Sequence, residues 1–211
     1  QQSGIFEKGL AYLMLEFQFI WGIRKYFNKV TFDLILYSTP PINIFRVINH
    51  LKKRNKAKTY LLLKDIYPQA AVDDKVFSQN SMIYRYFRNQ ERKLYDISDN
   101  IGCMSKANVE YLLKHNPELS PDKVEVNPNS IEPLELEVTE EQKVAFRAKH
   151  KIPGHALIFI YGGNLGKSQG IDFYLELLKL KKDDESVFFI TIGAGSEYRN
   201  IIQFLRANQI K

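Results

Sequence analysis

Short apolar runs alternate along the chain with longer segments whose apolar residues recur every three or four positions. The short runs predict buried strands, and the longer segments predict amphipathic helices. The predicted strands are residues 33–37, 59–63, 100–104, 123–126, 157–161 and 187–192. The predicted helices are residues 6–24, 42–54, 78–95, 106–115, 140–149 and 171–178, and a last helix begins near residue 196. This alternation, with continuous apolar strands, predicts an α/β fold with parallel sheets covered on both faces.

Particular residues mark the expected starts of three helices. Pro41 suits the first turn of the second helix, because the N–H that proline lacks is unpaired there in any case. Ser105 suits the N-cap of the helix that runs to residue 115. Thr139 and Gln142 have the spacing of a capping box.

An acidic stretch without glycine separates the first four predicted strands from the last two. Its acidic residues are Glu132, Glu135, Glu137, Glu140 and Glu141. The change in composition predicts two Rossmann-like domains, residues 1–133 and 134–211, with a cleft between them. Two strands are too few for a complete doubly wound domain, and the chain begins with Gln1. We therefore expect each domain to be incomplete and the chain to be part of a longer protein.

The composition is that of a globular protein. Hydrophobic residues make up 45% of the 211 positions and charged residues 26%, which excludes a disordered chain. The single cysteine, Cys103, excludes an internal disulfide framework and suits a reducing compartment. The four histidines lack the spacing of metal ligands, so we expect no zinc site.

The formal charge of +6 comes partly from two basic clusters. Such runs are most often solvated helix faces, and anionic lipid is a second interpretation. Nucleic acid is the weakest interpretation, because no binding motif with interleaved aromatic residues accompanies them. Within the helix at 6–24, the most apolar segment, residues 10–23, is interrupted by Glu16 and Gln18 and is too short to span a bilayer. A core helix is favoured there over a helix lying on a membrane surface. The clusters are Lys52, Lys53, Arg54, Lys56 and Lys58, and Arg85, Arg88, Arg92 and Lys93.

The most informative stretch is residues 158–170, where an apolar run breaks into glycines and leads into a helical pattern. Glycines let backbone N–H groups approach an anion, and a helix start adds partial positive charge. Lys167 supplies a further cation. This arrangement favours a phosphate site over an ordinary strand-to-helix turn. The glycines are Gly162, Gly163, Gly166 and Gly170.

Two common phosphate motifs do not fit the chain. A kinase-type loop requires glycine where Tyr161 stands, and the strand at 187–192 does not end in the aspartate that would hold magnesium. A nicotinamide-type fingerprint would begin at Gly193 and Gly195, but its third glycine is missing. A nucleotide-diphosphate sugar is the third phosphate compound to consider.

Stretches at four places, in order along the chain and the third in two parts, resemble glycosyltransferase family 4, whose members have the GT-B fold. The closest resemblance is to the bacterial branch that builds capsular polysaccharide, exopolysaccharide and O-antigen. Residues 33–41 resemble its strand and Ser-x-Pro-Pro turn, and residues 64–69 its Arg-Asp-Leu-Trp-Pro-Glu segment. Residues 98–105 and 124–129 resemble its Ala-Asp-x-Ile…Ser and Pro-Asn-Gly stretches, and residues 161–170 its donor-phosphate loop.

The resemblance implies transfer with retained anomeric configuration from a nucleotide-sugar donor to a lipid-linked or saccharide acceptor. It implies that the second domain holds the donor and the first domain holds the acceptor. No cofactor or metal is expected. We expect a cytoplasmic protein that touches the inner membrane peripherally and binds no nucleic acid.

The candidate site residues lie where the predicted strands end, as is usual in parallel α/β folds. Gly162, Gly163, Asn164, Lys167 and Gln169 are the candidates for the donor phosphate, and Gly193 and Gly195 for the donor nucleotide region. Ser38 and Thr39 are candidates on the acceptor side. Asp65 is the candidate for positioning or deprotonating the acceptor hydroxyl, with Lys64 beside it; a cap on the following turn is an equal alternative for Asp65.

The chain departs from the family pattern at three positions. Asn164 and Gln169 stand where many members have cations, and Lys64 stands where many have histidine. A non-catalytic or degenerate protein that keeps the phosphate loop therefore remains the alternative. The family's glycine-rich acceptor loop would precede Gln1, and its Glu-x7-Glu segment would follow Lys211, so we expect this chain alone to be inactive.

Overall fold

The computed structural model describes residues 5–210, with side chains from Met14 onward. The chain divides into two compact units, Gln1–Ile131 and Glu132–Lys211. Each unit contains a parallel sheet with helices between its strands, so the predicted α/β class is confirmed.

Unit 1 contains four parallel strands in the order β1-β2-β3-β4. Each strand follows its neighbour in the chain, and at least one helix lies between successive strands. The carboxyl ends of all four strands therefore lie along the same edge of the sheet. The elements are α1 (Ile5–Tyr26), β1 (Leu34–Thr39), α2 (Phe45–Asn55), β2 (Lys58–Leu63), α3 (Gln69–Asp73), α4 (Met82–Ile97), β3 (Asn100–Cys103), α5 (Lys106–His115) and β4 (Val124–Val126).

The core of unit 1 is built on the two central strands. Leu61 and Leu63 of β2 and Ile101 and Cys103 of β3 are fully buried or nearly so. The alternation of buried and part-buried residues along β2 is what a half-covered pleated strand produces. Helices α2, α4 and α5 supply the opposing apolar side chains, among them Leu94 at 0% exposure.

Helix α1 has one face against this core and one face in solvent. Ile20 and Ile23 pack against the core cluster, whereas Phe17 and Trp21 are more than 60% exposed. The described part of α1 therefore packs against the core along one face, and its opposite face is exposed to solvent. No helix among residues 5–210 has both the length and the apolar character needed to cross a membrane.

A buried polar network joins α4 to the end of α5. The Arg88 guanidinium donates to the Glu91 carboxylate and to the side-chain oxygen of Asn116, and the Tyr95 hydroxyl donates to the other Glu91 oxygen. Burial raises the pKa of Glu91, although the hydrogen bond from Tyr95 and the charge of Arg88 oppose it. Since every polar group has a partner here, the network tolerates burial.

Unit 2 contains two parallel strands in register from Leu157 opposite Val187 to Asn164 opposite Ala194. Its small core lies mainly on α7, where Ile171, Leu175 and Leu178 are buried. No residue of β5 is buried, so this sheet is not covered on both faces, contrary to expectation. The elements are α6 (Glu140–Lys149), β5 (Leu157–Asn164), α7 (Ile171–Leu180), β6 (Val187–Ala194) and α8 (Tyr198–Ala207).

Most predicted elements are confirmed, and the corrections are local. The caps at Ser105 and Thr139 form, the second as a complete capping box with Gln142. Helix α2 begins at Phe45, so Pro41 does not lie in its first turn; the intervening Ile42 is fully buried instead. Helix α4 begins four residues later than predicted, with Ser81 as its N-cap. The short helix α3 was not predicted.

Candidate functional site

The candidate acceptor-side residues meet at the carboxyl edge of the unit 1 sheet. The hydroxyl of Thr39, at the end of β1, donates to the backbone carbonyl of Asp65 at 3.2 Å. Lys64 and Asp65 follow the last residue of β2 and are both exposed, and Ser38 lies opposite Leu62 in the ladder. Buried Thr39 therefore fixes the position of the Asp65 backbone, while the Asp65 carboxylate stays accessible.

Aromatic packing holds the segment that follows Asp65. Ile66 and Tyr67 pack against the unit 1 core, and the Tyr67 ring meets the Phe87 ring of α4 edge-on, with centroids 5.3 Å apart. Such a contact adds stability beyond its buried area. The segment is therefore anchored at both Thr39 and Tyr67, which places Lys64 and Asp65 on a supported turn.

A shallow cavity of about 350 Å³ opens beside this turn. Its walls come from the turn after β2, from α3 and from the first turns of α5. The lining residues are Lys64, Asp65, Ile66, Gln69, Ala70, Asp73, Ala107, Asn108 and Tyr111.

The polar groups of the cavity are partly organised before any ligand arrives. The Gln69 amide donates to the Asp73 carboxylate at 2.8 Å across one turn of α3. The Ser105 hydroxyl donates to the Asn108 side-chain oxygen at 2.5 Å and accepts from the Asn108 backbone N–H at 3.2 Å. Burial, and to a smaller extent the neighbouring Tyr84 and Asp73, raise the pKa of Tyr111, so its hydroxyl stays protonated.

Four of these lining residues were missed in the sequence. Gln69 and Asp73 are four positions apart on α3, a helix too short to show a clear period. Asn108 and Tyr111 are three positions apart on α5, in its first turns after the Ser105 cap. The four residues lie in segments that follow the ends of β2 and β3, and this position was the signal available in the sequence. Ligand sites are usually found at the carboxyl edge of parallel sheets.

In unit 2 the glycine-rich stretch does not turn where expected. Strand β5 continues through Gly162 and Gly163 to Asn164, opposite Ile192, Gly193 and Ala194 of β6. The prediction that the turn begins directly after Tyr161 is therefore wrong. Pairing with β6 extends the strand, and Gly163 lies opposite Gly193 in the ladder, where the absence of a Cβ on Gly193 permits a close approach. The turn begins at buried Leu165.

Two glycines of this stretch have backbone conformations that other residues rarely adopt. Gly163 has a φ of 153° and Gly170 a φ of 65°. Gly170 links the single 3₁₀ turn at Lys167–Gln169 to the first residue of α7. Gly162, by contrast, has no special φ, and a Cβ added there would meet nothing within 4 Å.

Gly193 and Gly195 are glycines for packing reasons. A Cβ on Gly193 would lie 2.0 Å from the carbonyl oxygen of Gly163, and one on Gly195 would lie 2.3 Å from that of Leu165. Leu165 itself is tied to the end of β6, since its N–H donates to Ala194 and its carbonyl accepts from Glu197. Because these two glycines have no side chains, the end of β6 packs closely against the turn. This close packing determines the shape of the turn.

The donor-phosphate candidates lie on the last residues of β5 and on the 3₁₀ turn that precedes α7. Asn164, Lys167 and Gln169 are exposed, and the Lys167 ammonium has no hydrogen-bond or ion-pair partner within residues 5–210. The first N–H groups of an α-helix lack intrahelical acceptors, so the start of α7, four residues after Lys167, offers further donors, although its first turn also carries Asp172. This arrangement of backbone N–H groups and one lysine can bind an anion. In the described part of the chain, no three His, Cys, Asp or Glu side chains are grouped so as to hold a metal ion.

The chain was compared with protein-family models and with known proteins. No protein-family model matches the chain. The chain is 25% identical over 194 residues to a protein of Pseudomonas aeruginosa named "Probable glycosyltransferase WbjE". The aligned region covers 92% of this chain and 47% of that protein, so the chain spans about half the length of the relative it matches.

Proposed function

We propose that the chain is part of a glycosyltransferase that moves a sugar from a nucleotide-diphosphate donor to a saccharide or lipid-linked acceptor. The observation that carries the proposal is the single alignment, across both units, with a protein named as a glycosyltransferase. The exposed glycine and lysine loop of unit 2 supports it. We further propose the GT-B arrangement of family 4, with retained configuration, in the synthesis of a bacterial surface polysaccharide.

On the donor side, unit 2 provides the groups that a departing nucleoside diphosphate needs. Charge develops on the phosphate oxygens as the glycosidic bond breaks, and fixed donors aimed at that charge lower the barrier. Lys167, the backbone at Gly162 and Gly163, and the first turn of α7 are the groups we assign to this task. Asn164 and Gln169 would add neutral polar contacts.

On the acceptor side, unit 1 provides Asp65. A carboxylate within hydrogen-bond reach of an acceptor hydroxyl can orient it and accept its proton. The Asp65 carboxylate has no hydrogen-bond or ion-pair partner among the described residues, and Thr39 holds its backbone. We assign to Asp65 the task of orienting the acceptor hydroxyl or accepting its proton. Lys64 lies on the same turn, beside Asp65.

All these groups belong to the chain itself, and we propose that no metal or other cofactor assists them. Activity that persists in a chelator is the expected result for the intact enzyme. We also propose peripheral contact with the cytoplasmic face of the inner membrane. The exposed Phe17 and Trp21 of α1, with Arg24 and Lys25 in its last turn, support such a contact.

The second candidate is a non-catalytic protein that binds a nucleotide sugar without turning it over. Neutral Asn164 and Gln169 favour it, because fewer cations stabilise the departing diphosphate less. Turnover of a nucleotide sugar by a natural protein that contains this chain would exclude this candidate. Tight binding without turnover would support it.

The binding part of the proposal is tested by calorimetric titration of the chain with UDP, GDP, ADP and dTDP. We expect one of these to bind and Lys167→Ala to weaken binding by about tenfold, since a hydrogen bond to a charged group is lost. Lys179→Ala is the matched control, because Lys179 is exposed in the last turn of α7, at the opposite end of that helix from the loop that carries Lys167. Equal affinities for the Lys167→Ala variant and the unmodified chain would remove Lys167 from the site.

A further inference from the structure

We propose that the cavity between α3 and the start of α5 binds one uncharged sugar ring of the acceptor. Identifying the bound sugar as part of the acceptor rests on the proposed function. The binding of a sugar ring in this cavity does not depend on that function. The cavity volume of about 350 Å³ is at the lower end of the usual range for small-molecule sites. A single ring is therefore the appropriate size of ligand.

The charge of the cavity selects against an anionic ligand. One lysine and two aspartates, Lys64, Asp65 and Asp73, leave it with a formal charge of −1. None of the three is paired with another in an ion pair among the described residues. A phosphate would meet two carboxylates, whereas an uncharged ligand avoids that repulsion.

The hydrogen-bonding groups match adjacent hydroxyls. Each carboxylate accepts through two oxygens, and a side-chain amide offers a donor and an acceptor side by side. Gln69 holds the Asp73 carboxylate in place from one side, which reduces the ordering cost of binding. Asn108 is likewise fixed through its oxygen by Ser105, which orients its amide nitrogen. Ligands with several hydroxyl groups satisfy such an array better than ligands with one.

An aromatic ring completes the wall. Tyr111 lines the cavity, and its ring is stacked on the imidazole of His115 with centroids 4.0 Å apart. The imidazole is held in turn by the Tyr111 carbonyl, 2.8 Å from its Nδ1. A ring held in this way gives apolar contact area at little entropic cost, and the C–H groups of a sugar supply the complementary surface.

The test is a titration of the ¹⁵N-labelled chain followed by amide chemical shifts. The probes are the methyl glycosides of glucose, galactose, N-acetylglucosamine and rhamnose, with glucose 1-phosphate as the anionic comparison. We expect at least one methyl glycoside to shift the amides of Gln69, Asp73 and Asn108, and glucose 1-phosphate to bind there more weakly. No shift at these amides with any methyl glycoside, or tighter binding of glucose 1-phosphate, would overturn the proposal.

Variants locate the binding within the cavity. Asp73→Ala and, separately, Gln69→Ala should each weaken binding of the same methyl glycoside, by about tenfold for the charged Asp73. Asp74→Ala is the matched control, because Asp74 is the exposed neighbour of Asp73 and does not line the cavity. Spectra of the free variants establish that each is folded. Unchanged affinity in both cavity variants would contradict the assignment.

The same spectra separate this inference from the proposed function. Nucleoside diphosphates are expected to shift amides near Lys167 in unit 2 instead. Nucleotide binding without any methyl glycoside binding would overturn the cavity assignment and leave the donor proposal intact. Methyl glycoside binding without nucleotide binding would contradict the proposal that the chain is part of a glycosyltransferase. The assignment of a saccharide-binding cavity would then still stand.

Discussion

The two units hold their loops by different physical means. In unit 1 the central strands are buried, and the turn carrying Asp65 is attached to them through Thr39 and Tyr67. In unit 2 the strand that leads to the glycine-rich loop has no buried residue. Its loop is shaped instead by backbone contacts, in which Gly195 lies against Leu165. The turn that carries Asp65 in unit 1 is supported by a core of packed side chains. The glycine-rich loop of unit 2 is supported by close packing of the backbone.

This difference suits the chemistry proposed for each unit. The unit 1 cavity is lined by residues such as Asp73 and Tyr111, and Tyr111 lies on α5, which contributes the buried Leu112 to the core. The unit 2 loop offers backbone N–H groups and one lysine, Lys167. An anion that approaches the backbone needs small residues more than it needs a deep core.

The largest expected effect is the loss of core packing in unit 1. Leu61→Ala should lower the free energy of unfolding of unit 1 by about 3 kcal/mol, because Leu61 is 0% exposed in the central strand. Leu157→Ala in β5 should cost less than about 0.5 kcal/mol, because Leu157 is 62% exposed. Urea denaturation, with hydrogen exchange to assign each unit, measures both. Equal costs would mean that the face of β5 is covered in solution, and the comparison would fail.

The next effect tests the backbone packing in unit 2. Gly195→Ala should destabilise the unit by about 2 kcal/mol, since its Cβ would lie 2.3 Å from the Leu165 carbonyl oxygen. Gly154→Ala is the matched control, because a Cβ there meets nothing within 4 Å. Thermal unfolding of the two variants gives the comparison. If Gly195→Ala were as stable as Gly154→Ala, the loop would not depend on this close approach.

The smallest effect concerns buried charge, which distinguishes unit 1 from the described part of unit 2. Glu91 is 3% exposed, whereas no acidic side chain described in unit 2 is buried. Burial raises the Glu91 pKa above its ordinary value of 4.5, so the folded state binds the proton more tightly than the unfolded state. Its contribution to stability is therefore full below pH 4.5 and is lost as the pH rises through the folded pKa.

Glu91→Gln should remove this component of the pH dependence of unfolding. The measurement is the free energy of unfolding in urea from pH 4 to pH 8 for the variant and the unmodified chain. Glu118→Gln is the control, because Glu118 is half exposed and meets Arg92 only at 3.9 Å. A pH profile unchanged by Glu91→Gln would mean that Glu91 does not titrate with a raised pKa.

Much of the fold was predictable because its signals are local. Apolar runs located the six strands found within residues 5–210, and the caps at Ser105 and Thr139 are made by residues three positions apart. The end of β5 was not predictable in this way. Glycine normally ends a strand, but here Gly163 lies opposite Gly193, and the pairing depends on residues 30 positions away.

The candidate site residues show the same difference between local signals, which the sequence contains, and contacts between distant residues, which it does not reveal. Lys64 and Asp65 were identified because they follow a strand directly, and the structure places both on one cavity wall. Gln69 and Asp73 were missed because α3 has only five residues and depends on its surroundings for its helical form. Gly195 was assigned to the donor region because it follows a predicted strand, whereas its contact with Leu165 gives it a packing role that only coordinates reveal.

The central claim is that the loop of unit 2 binds the diphosphate of a nucleotide sugar. Its most direct test is the amide spectrum of the ¹⁵N-labelled chain during titration with UDP, GDP, ADP and dTDP. The account predicts that one of them shifts the amides of Gly162, Gly163 and Lys167 and those of the first turn of α7, while Gly154 stays in place. Titrations with all four nucleotides that leave these amides unmoved would contradict it.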